Sequence, residues 1–260
     1  MKVIKVPFNA NALEKKNGIE NAPDKIVSFL NNFYLKENGL LPFFEIDSIK
    51  VDNANIEYSN QQIELFVSNL QEKAVLLGGD HSITYPSFRA FSKKFKNPGL
   101  IIFDAHVDCE NDFRPPTHED FVRVLIEEGT LKKENLIFIG IRNMHTNELD
   151  FIKKNKLKIY DMKEISNDGK NEIIEAIMSV AKNFDGLYIS LDIDALDPAF
   201  APGTGYIEPG GLSTRELLFF IQKLKNLKNI YMWDLVEVNP IKDINDLTSI
   251  TAAKIIIEII

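Results

Sequence analysis

Aspartate and histidine recur at short spacing in three places of this chain: Gly78-Gly79-Asp80-His81-Ser82, Asp104-Ala105-His106-Val107-Asp108 and Asp192-Ile193-Asp194-Ala195-Leu196-Asp197-Pro198. Asp104, His106 and Asp108 stand at i, i+2 and i+4, so an extended backbone would point all three to one face, and Asp192 and Asp194 follow the same rule. Crowded bare carboxylates repel one another and are costly to bury. A divalent cation removes both costs. Four aspartates and two histidines exceed what one tetrahedral zinc takes. Two ions sharing carboxylates would use His81, Asp104, His106, Asp108, Asp192 and Asp194 together. The oxygen-rich set suits two manganese ions per chain, with nickel or another divalent metal as the alternative. The chemistry expected of such a pair is hydrolysis, because a bound ion brings the pKa of water down to about 7.

A single D-x-D or D-x-H is usually a turn or a solvated strand end. Here three such segments each follow an apolar run, and two of the chain's four histidines fall inside them. That repetition weighs against coincidence.

The elements that must position these residues are legible as alternating patterns. Apolar runs at 3–6, 74–77, 100–103, 136–139, 187–191 and 230–236 read as buried strands, with weaker candidates at 43–46 and 157–160. Between them, 22–34, 61–70, 85–95, 119–128, 171–182 and 214–224 carry apolar residues three and four apart, as amphipathic helices do. Ser213 three residues before Glu216 has capping-box spacing, and Gly129 is placed to end a helix. Strand–helix alternation predicts an α/β fold of three layers, α/β/α, with a mostly parallel sheet. In such folds sites form at the carboxyl ends of the strands, where all three motifs fall.

Bulk properties narrow the function. A length of 260 residues with 45 % hydrophobic content suits one packed α/β domain, 1–260. A net charge of −8 argues against a nucleic-acid partner, which would need a basic face. The single cysteine, Cys109, excludes an internal disulfide, fits a reducing cytoplasm, and is expected to pack rather than react. No apolar run approaches the roughly 20 residues of a membrane span, and residues 1–10 lack the apolar region of a signal peptide. The apolar run 254–260, broken by Glu258, reads as core or subunit interface.

The three motifs resemble the signature blocks of the ureohydrolase (arginase/agmatinase) family. The third continues through Ala201-Pro202-Gly203-Thr204-Gly205 and Gly210-Gly211-Leu212-Ser213, and Trp233-Asp234-Leu235-Val236-Glu237-Val238-Asn239-Pro240 resembles that family's last block. The similarity runs from about residue 74 to the end. It implies an arginase-like fold, a homo-oligomer (trimer or hexamer) and a small cationic guanidino substrate cleaved to urea and an amine. His81 and Asp108 would then bind the first manganese and His106 with Asp194 the second, while Asp104 and Asp192 bridge. Asp108, His118 and Glu237 would be catalytic: Asp108 passing a proton to the leaving amine, His118 relaying protons, Glu237 facing the guanidinium. Asp197 would support the ligand loop.

One segment departs from the arginase pattern. Cys109-Glu110-Asn111-Asp112-Phe113-Arg114-Pro115-Pro116-Thr117-His118-Glu119 lacks the Ser-Gly-Asn of arginases, and Glu119 replaces their glycine. Phe121-Val122-Arg123, Gly140-Ile141-Arg142 and Gly211-Leu212-Ser213-Thr214-Arg215-Glu216 look more like agmatinases. Agmatine, giving putrescine and urea in polyamine biosynthesis, is therefore the first expectation. Asn111, with His118 and Glu237, is expected to contact substrate, and Glu110, Asp112, Glu119 and Asp120 offer an acidic rim for its free amine. Arg114 points instead to a substrate carboxylate, as in guanidinobutyrate or formimidoylglutamate. Arginine, guanidine, aminopropylagmatine and a non-catalytic family member stay open, as does a different di-metal hydrolase; a deacetylase-like one would carry paired histidines and fewer aspartates.

Overall fold

A computed structural model describes residues 1–9 and 18–260. Eight strands form one sheet among the described residues: β1 (Lys2–Val6), β2 (Glu45–Ser48), β3 (Ala74–Gly78), β4 (Pro98–Phe103), β5 (Leu136–Ile141), β6 (Lys158–Asp161), β7 (Gly186–Asp192) and β8 (Ile230–Val236). Their order is β2-β1-β3-β8-β7-β4-β5-β6, and every pairing is parallel.

Strand residues alternate between two cores because successive side chains leave a strand on opposite faces. Val75, Leu77, Ile101, Phe103, Ile189, Leu191, Trp233 and Leu235 meet α1 (Ala22–Leu30), α7 (Lys170–Ala181), α8 (Thr214–Leu224) and α9 (Leu247–Ile259). Leu76, Leu100, Ile102, Phe138, Tyr188 and Val236 meet α2 (Ile56–Asn69), α3 (Thr84–Ser92), α4 (Phe121–Glu127) and α5 (Thr146–Asn155). The expected three layers and parallel sheet are therefore present. With both faces covered, β3, β5 and β7 are buried throughout, which is why they read as unbroken apolar runs.

Helix ends follow local chemistry. α8 has the expected bounds because its capping box forms: Glu216 N donates to Ser213 Oγ at 3.2 Å, and Ser213 N donates to Glu216 Oε2 at 2.8 Å. Ser213→Ala is expected to cost about 1 kcal/mol. Urea denaturation checks this, and an unchanged midpoint would show the box to be idle. Gly129 follows α4 in the left-handed conformation, φ 76°, as an ending glycine should. α2 starts at Ile56, ahead of the predicted 61, because Asn55 caps it by accepting from Tyr58 N.

The apolar periodicity missed α5, α6 (Met162–Asp168) and α9. α9 is buried almost all round, including Ile255, Ile256, Ile257 and Ile259, so no polar stripe marks its period. Its last residues are core, packed with α1 and α8. Among the described residues no helix is long and apolar enough to cross a membrane.

Candidate metal centre

β3, β8, β7 and β4 are neighbours in the sheet, so their carboxyl ends deliver His81, Glu237, Asp192 with Asp194, and Asp104 with His106 and Asp108 to one edge. The means of delivery differs from an extended strand. β4 ends at Phe103, and Asp104 Oδ1 accepts from His106 N at 2.7 Å. Asp192 Oδ1 accepts from Asp194 N at 2.8 Å, and Asp80 Oδ1 from Ser82 N at 3.0 Å. Each motif is thus an Asx turn, in which an aspartate binds the backbone two residues on. Oδ1 of Asp104 and of Asp192 accepts the turn's hydrogen bond while Oδ2 of each faces His81 Nδ1, and Asp104 Oδ1 also lies near His106 Nδ1.

His81 Nδ1 lies 3.1 Å from Asp104 Oδ2, 3.0 Å from Asp108 Oδ2 and 3.3 Å from Asp192 Oδ2. His106 Nδ1 lies 3.1 Å from Asp194 Oδ2 and 3.5 Å from Asp104 Oδ1. Two groups with metal-ligand spacing result, His81–Asp104–Asp192 and Asp104–His106–Asp194, and Asp104 is common to both. Asp194 ties the two loops together, since its Oδ1 accepts from Ala105 N at 3.0 Å.

The donor set fits cations. His81 Nε2 sits 2.8 Å from Ser190 Oγ, and that hydroxyl donates to Asp234 Oδ1 at 2.6 Å. Asp234 is buried and also accepts from Thr84 Oγ1 and Tyr188 OH, each at 2.7 Å. Ser190 spends its proton on Asp234, so its oxygen accepts from His81 Nε2–H. That leaves Nδ1 with a lone pair aimed at three carboxylates. Among the described residues, His81 Nδ1 and Asp104 Oδ2 are buried without a hydrogen-bond partner. Burial, with repulsion from neighbouring carboxylates, pushes Asp108 and Asp192 well above the usual carboxylate range. Burial lowers His81, but the same carboxylates outweigh it and raise the imidazole. A cation here takes the place of those protons.

Backbone strain marks the same residues. Asp108 (φ 48°) and Glu237 (φ 65°) adopt the left-handed region, which costs a non-glycine residue of order 1–3 kcal/mol. Glu237 is clamped there: its N donates to Gly79 O at 2.8 Å, and its Oε1 accepts from His81 N at 2.9 Å. Gly79 has no room for a side chain, because a Cβ would lie 2.0 Å from Phe8 O.

A cavity of about 350 Å³ opens over the cluster. All four histidines of the chain line it, with Asp108, Asp192, Asp194, Glu110, Glu119, Glu148, Glu208, Glu237, Asn143 and Tyr206. Eight of these are carboxylates; among the described residues no lysine or arginine lines it. His118 is buried, with Nε2 3.6 Å from Glu119 Oε1 and its ring stacked on Tyr206 at 6.4 Å. Tyr206 OH donates to Glu119 Oε1 at 2.9 Å.

The expected rim divides in two. Glu110 and Glu119 line the cavity. Asp120 is buried and holds the loop, accepting from Asn111 N at 2.9 Å and Thr117 Oγ1 at 2.5 Å. Asp112 and Asn111 lie outside the lining residues, and so does Arg114, which is exposed and 3.4 Å from Glu127 Oε2. His145 caps α5, where Glu148 closes the capping box, and both line the cavity. Cys109 is buried, and burial pushes its thiol up, consistent with packing. Asp197 Oδ2 accepts from Gly210 N at 2.7 Å and Gly211 N at 3.3 Å, holding the ligand loop closed. Sequence reasoning missed Tyr206, Glu208, Ser190 and Asp234. Only the last two carried a signal, Ser190 as the polar residue of the apolar run 187–191 and Asp234 inside the last family-like block, at facing positions of β7 and β8.

A parallel sheet with paired Asp/His turns at neighbouring strand ends makes a candidate metal centre. The comparisons narrow the class: the chain matches the Arginase family over residues 1–260 and belongs to it. It is 35 % identical over 235 residues to an arginase of Staphylococcus aureus (strain MRSA252), covering 85 % of this chain and 76 % of that one. It is 33 % identical over 228 residues to an agmatinase of Bacillus subtilis (strain 168), covering 85 % and 75 %. The crystal structure of formimidoylglutamase from Bacillus subtilis subsp. subtilis str. 168 superposes with a TM-score of 0.93 at 29 % identity, covering 99 % of this chain and 85 % of that one. The chain is an arginase-family hydrolase.

Proposed function

We propose that this enzyme uses two manganese ions to hydrolyse a cationic guanidino amine carrying no carboxylate, with agmatine, giving putrescine and urea, as the best fit. The observation that carries this reading is the lining: beyond the aspartates that would hold the ions, five glutamates (Glu110, Glu119, Glu148, Glu208 and Glu237) face about 350 Å³ of space with no lysine or arginine among the described residues. A dication is attracted by such a wall. The carboxylate of arginine or guanidinobutyrate, and still more the two of formimidoylglutamate, would enter it unpaired.

His81, Asp108, Asp104 and Asp192 would hold the first ion, and Asp104, Asp192, His106 and Asp194 the second. Bound there, the ions acidify water to supply the nucleophile. The residues do the rest. Glu237 fixes the guanidinium by charge-assisted hydrogen bonds. Asp108 passes the proton to the leaving amine, and His118, stacked on Tyr206, exchanges protons with solvent. Glu110 and Glu119 receive the distal ammonium. The single cysteine supports a cytoplasmic setting. Exposed Leu40, Leu41 and Phe43, beside edge strand β2, support assembly into a homo-oligomer.

A urea-release panel on the manganese-loaded protein tests the substrate, with agmatine, arginine, guanidinobutyrate, guanidine and aminopropylagmatine, and formamide followed from formimidoylglutamate. Agmatine is expected to lead arginine by at least ~10-fold in kcat/KM, the effect of about 1.4 kcal/mol. Faster cleavage of any carboxylate-bearing substrate would refute the assignment.

A further inference from the structure

The two histidines of the cluster are backed differently. His81 Nε2 meets a neutral hydroxyl, Ser190, inside a closed cage. His106 Nε2 meets a carboxylate, Glu208 Oε1 at 3.4 Å, with both side chains about a fifth exposed at 22 % and 23 %. Glu208 is not loosely placed. Asn143 Nδ2 donates to the same Oε1 at 2.7 Å. Arg142 holds the backbone beneath it: Nε and Nη2 donate to Glu208 O at 3.0 and 2.6 Å. The same Nη2 donates to Asp194 O at 2.6 Å and Leu196 O at 3.2 Å. Gly211 makes the approach feasible, since a Cβ there would meet Arg142 Nη2 at 2.7 Å.

We infer that Glu208, set by Arg142 and Asn143, is the positioning residue of the second metal site and governs how tightly that site fills, independently of the first. The inference rests on the binuclear reading above. Its physical basis is that a carboxylate behind a ligating imidazole orients the ring, fixes the proton on the outer nitrogen and makes the inner nitrogen a stronger donor. The Arg142 guanidinium ties Glu208 to Asp194, which shares the second group with His106. Glu208 reaches His106 and Arg142 reaches Asp194, both of the second group, whereas the His81 ring is held by Ser190 and, behind it, Asp234.

The test is manganese titration of the metal-stripped protein by calorimetry and electron paramagnetic resonance, wild type against Glu208→Gln and Glu110→Gln. Glu208→Gln keeps the shape and removes the charge. It is expected to leave one tight site unchanged and weaken the other by ~10–100-fold, the usual effect of losing such a partner. The melting temperature of the metal-free protein should stay at the wild-type value, which separates positioning from folding. Glu110→Gln, which removes a cavity carboxylate that does not back His106, should leave both affinities intact. Equal, unchanged affinities in Glu208→Gln, or weakening of both sites, would overturn the inference while leaving the binuclear reading standing. A wild-type protein that takes up one ion at most overturns both.

Discussion

Asp104→Asn should bring bound manganese below one ion per chain and reduce urea release by at least ~1,000-fold, equivalent to about 4 kcal/mol. Asp104 is the carboxylate common to both ligand groups, with one oxygen 3.1 Å from His81 Nδ1 and the other 3.5 Å from His106 Nδ1. Asparagine is nearly isosteric. Its carbonyl oxygen still accepts from His106 N, so the Asx turn survives and folding is spared. What disappears is the negative charge that both cations share. Metal analysis after saturation and dialysis, paired with a urea assay, checks both halves. Two ions retained in Asp104→Asn would show that Asp104 is not central to the cluster, whatever happened to activity.

That variant also exposes why the motifs were readable. A D-x-H or D-x-D segment has an ordinary interpretation as a turn and a chemical one as a ligand pair. In this chain the two are the same fact. Asp104 and Asp192 each accept a backbone hydrogen bond from two residues on with Oδ1 and turn Oδ2 to His81 in the cluster. The period-two argument named residues that the structure brings together, but for an incomplete reason: the backbone leaves the strand at Phe103, and Asp108 turns back through φ 48°. Local spacing reports local turns, so it found six clustered Asp and His side chains lying in or beside turns. Glu208 was invisible because its role depends on Arg142 and Asn143, 65 or more residues away and across the sheet edge. Ser190 and Asp234 were hidden for a related reason. A polar residue inside a strand read as apolar is a minor blemish until β7 and β8 pair and bring them to 2.6 Å. The fold itself was legible where burial is two-sided or one-sided and periodic. It failed at α9, whose burial on nearly all sides erases periodicity.

Glu237→Gln should lower kcat/KM for a guanidino substrate by roughly 100- to 1,000-fold, about 3–4 kcal/mol, while leaving metal content unchanged. The clamp on Glu237 explains the size. Its N is bound to Gly79 O and its Oε1 to His81 N, so the side chain has little freedom to find another pose. Glutamine satisfies that clamp by placing its carbonyl oxygen where Oε1 was, which turns its NH2 group to the remaining carboxylate position. A donor then faces a substrate that consists of donors and carries positive charge. The loss is therefore double: a charge-assisted bond vanishes and a repulsive contact replaces it. Because Glu237 lies outside both ligand groups, the two ions should bind as before, and this separates the variant from Asp104→Asn. Activity within tenfold of wild type would remove Glu237 from substrate binding. Loss of metal together with activity would instead assign it to supporting His81, through the hydrogen bond it accepts from that residue's backbone.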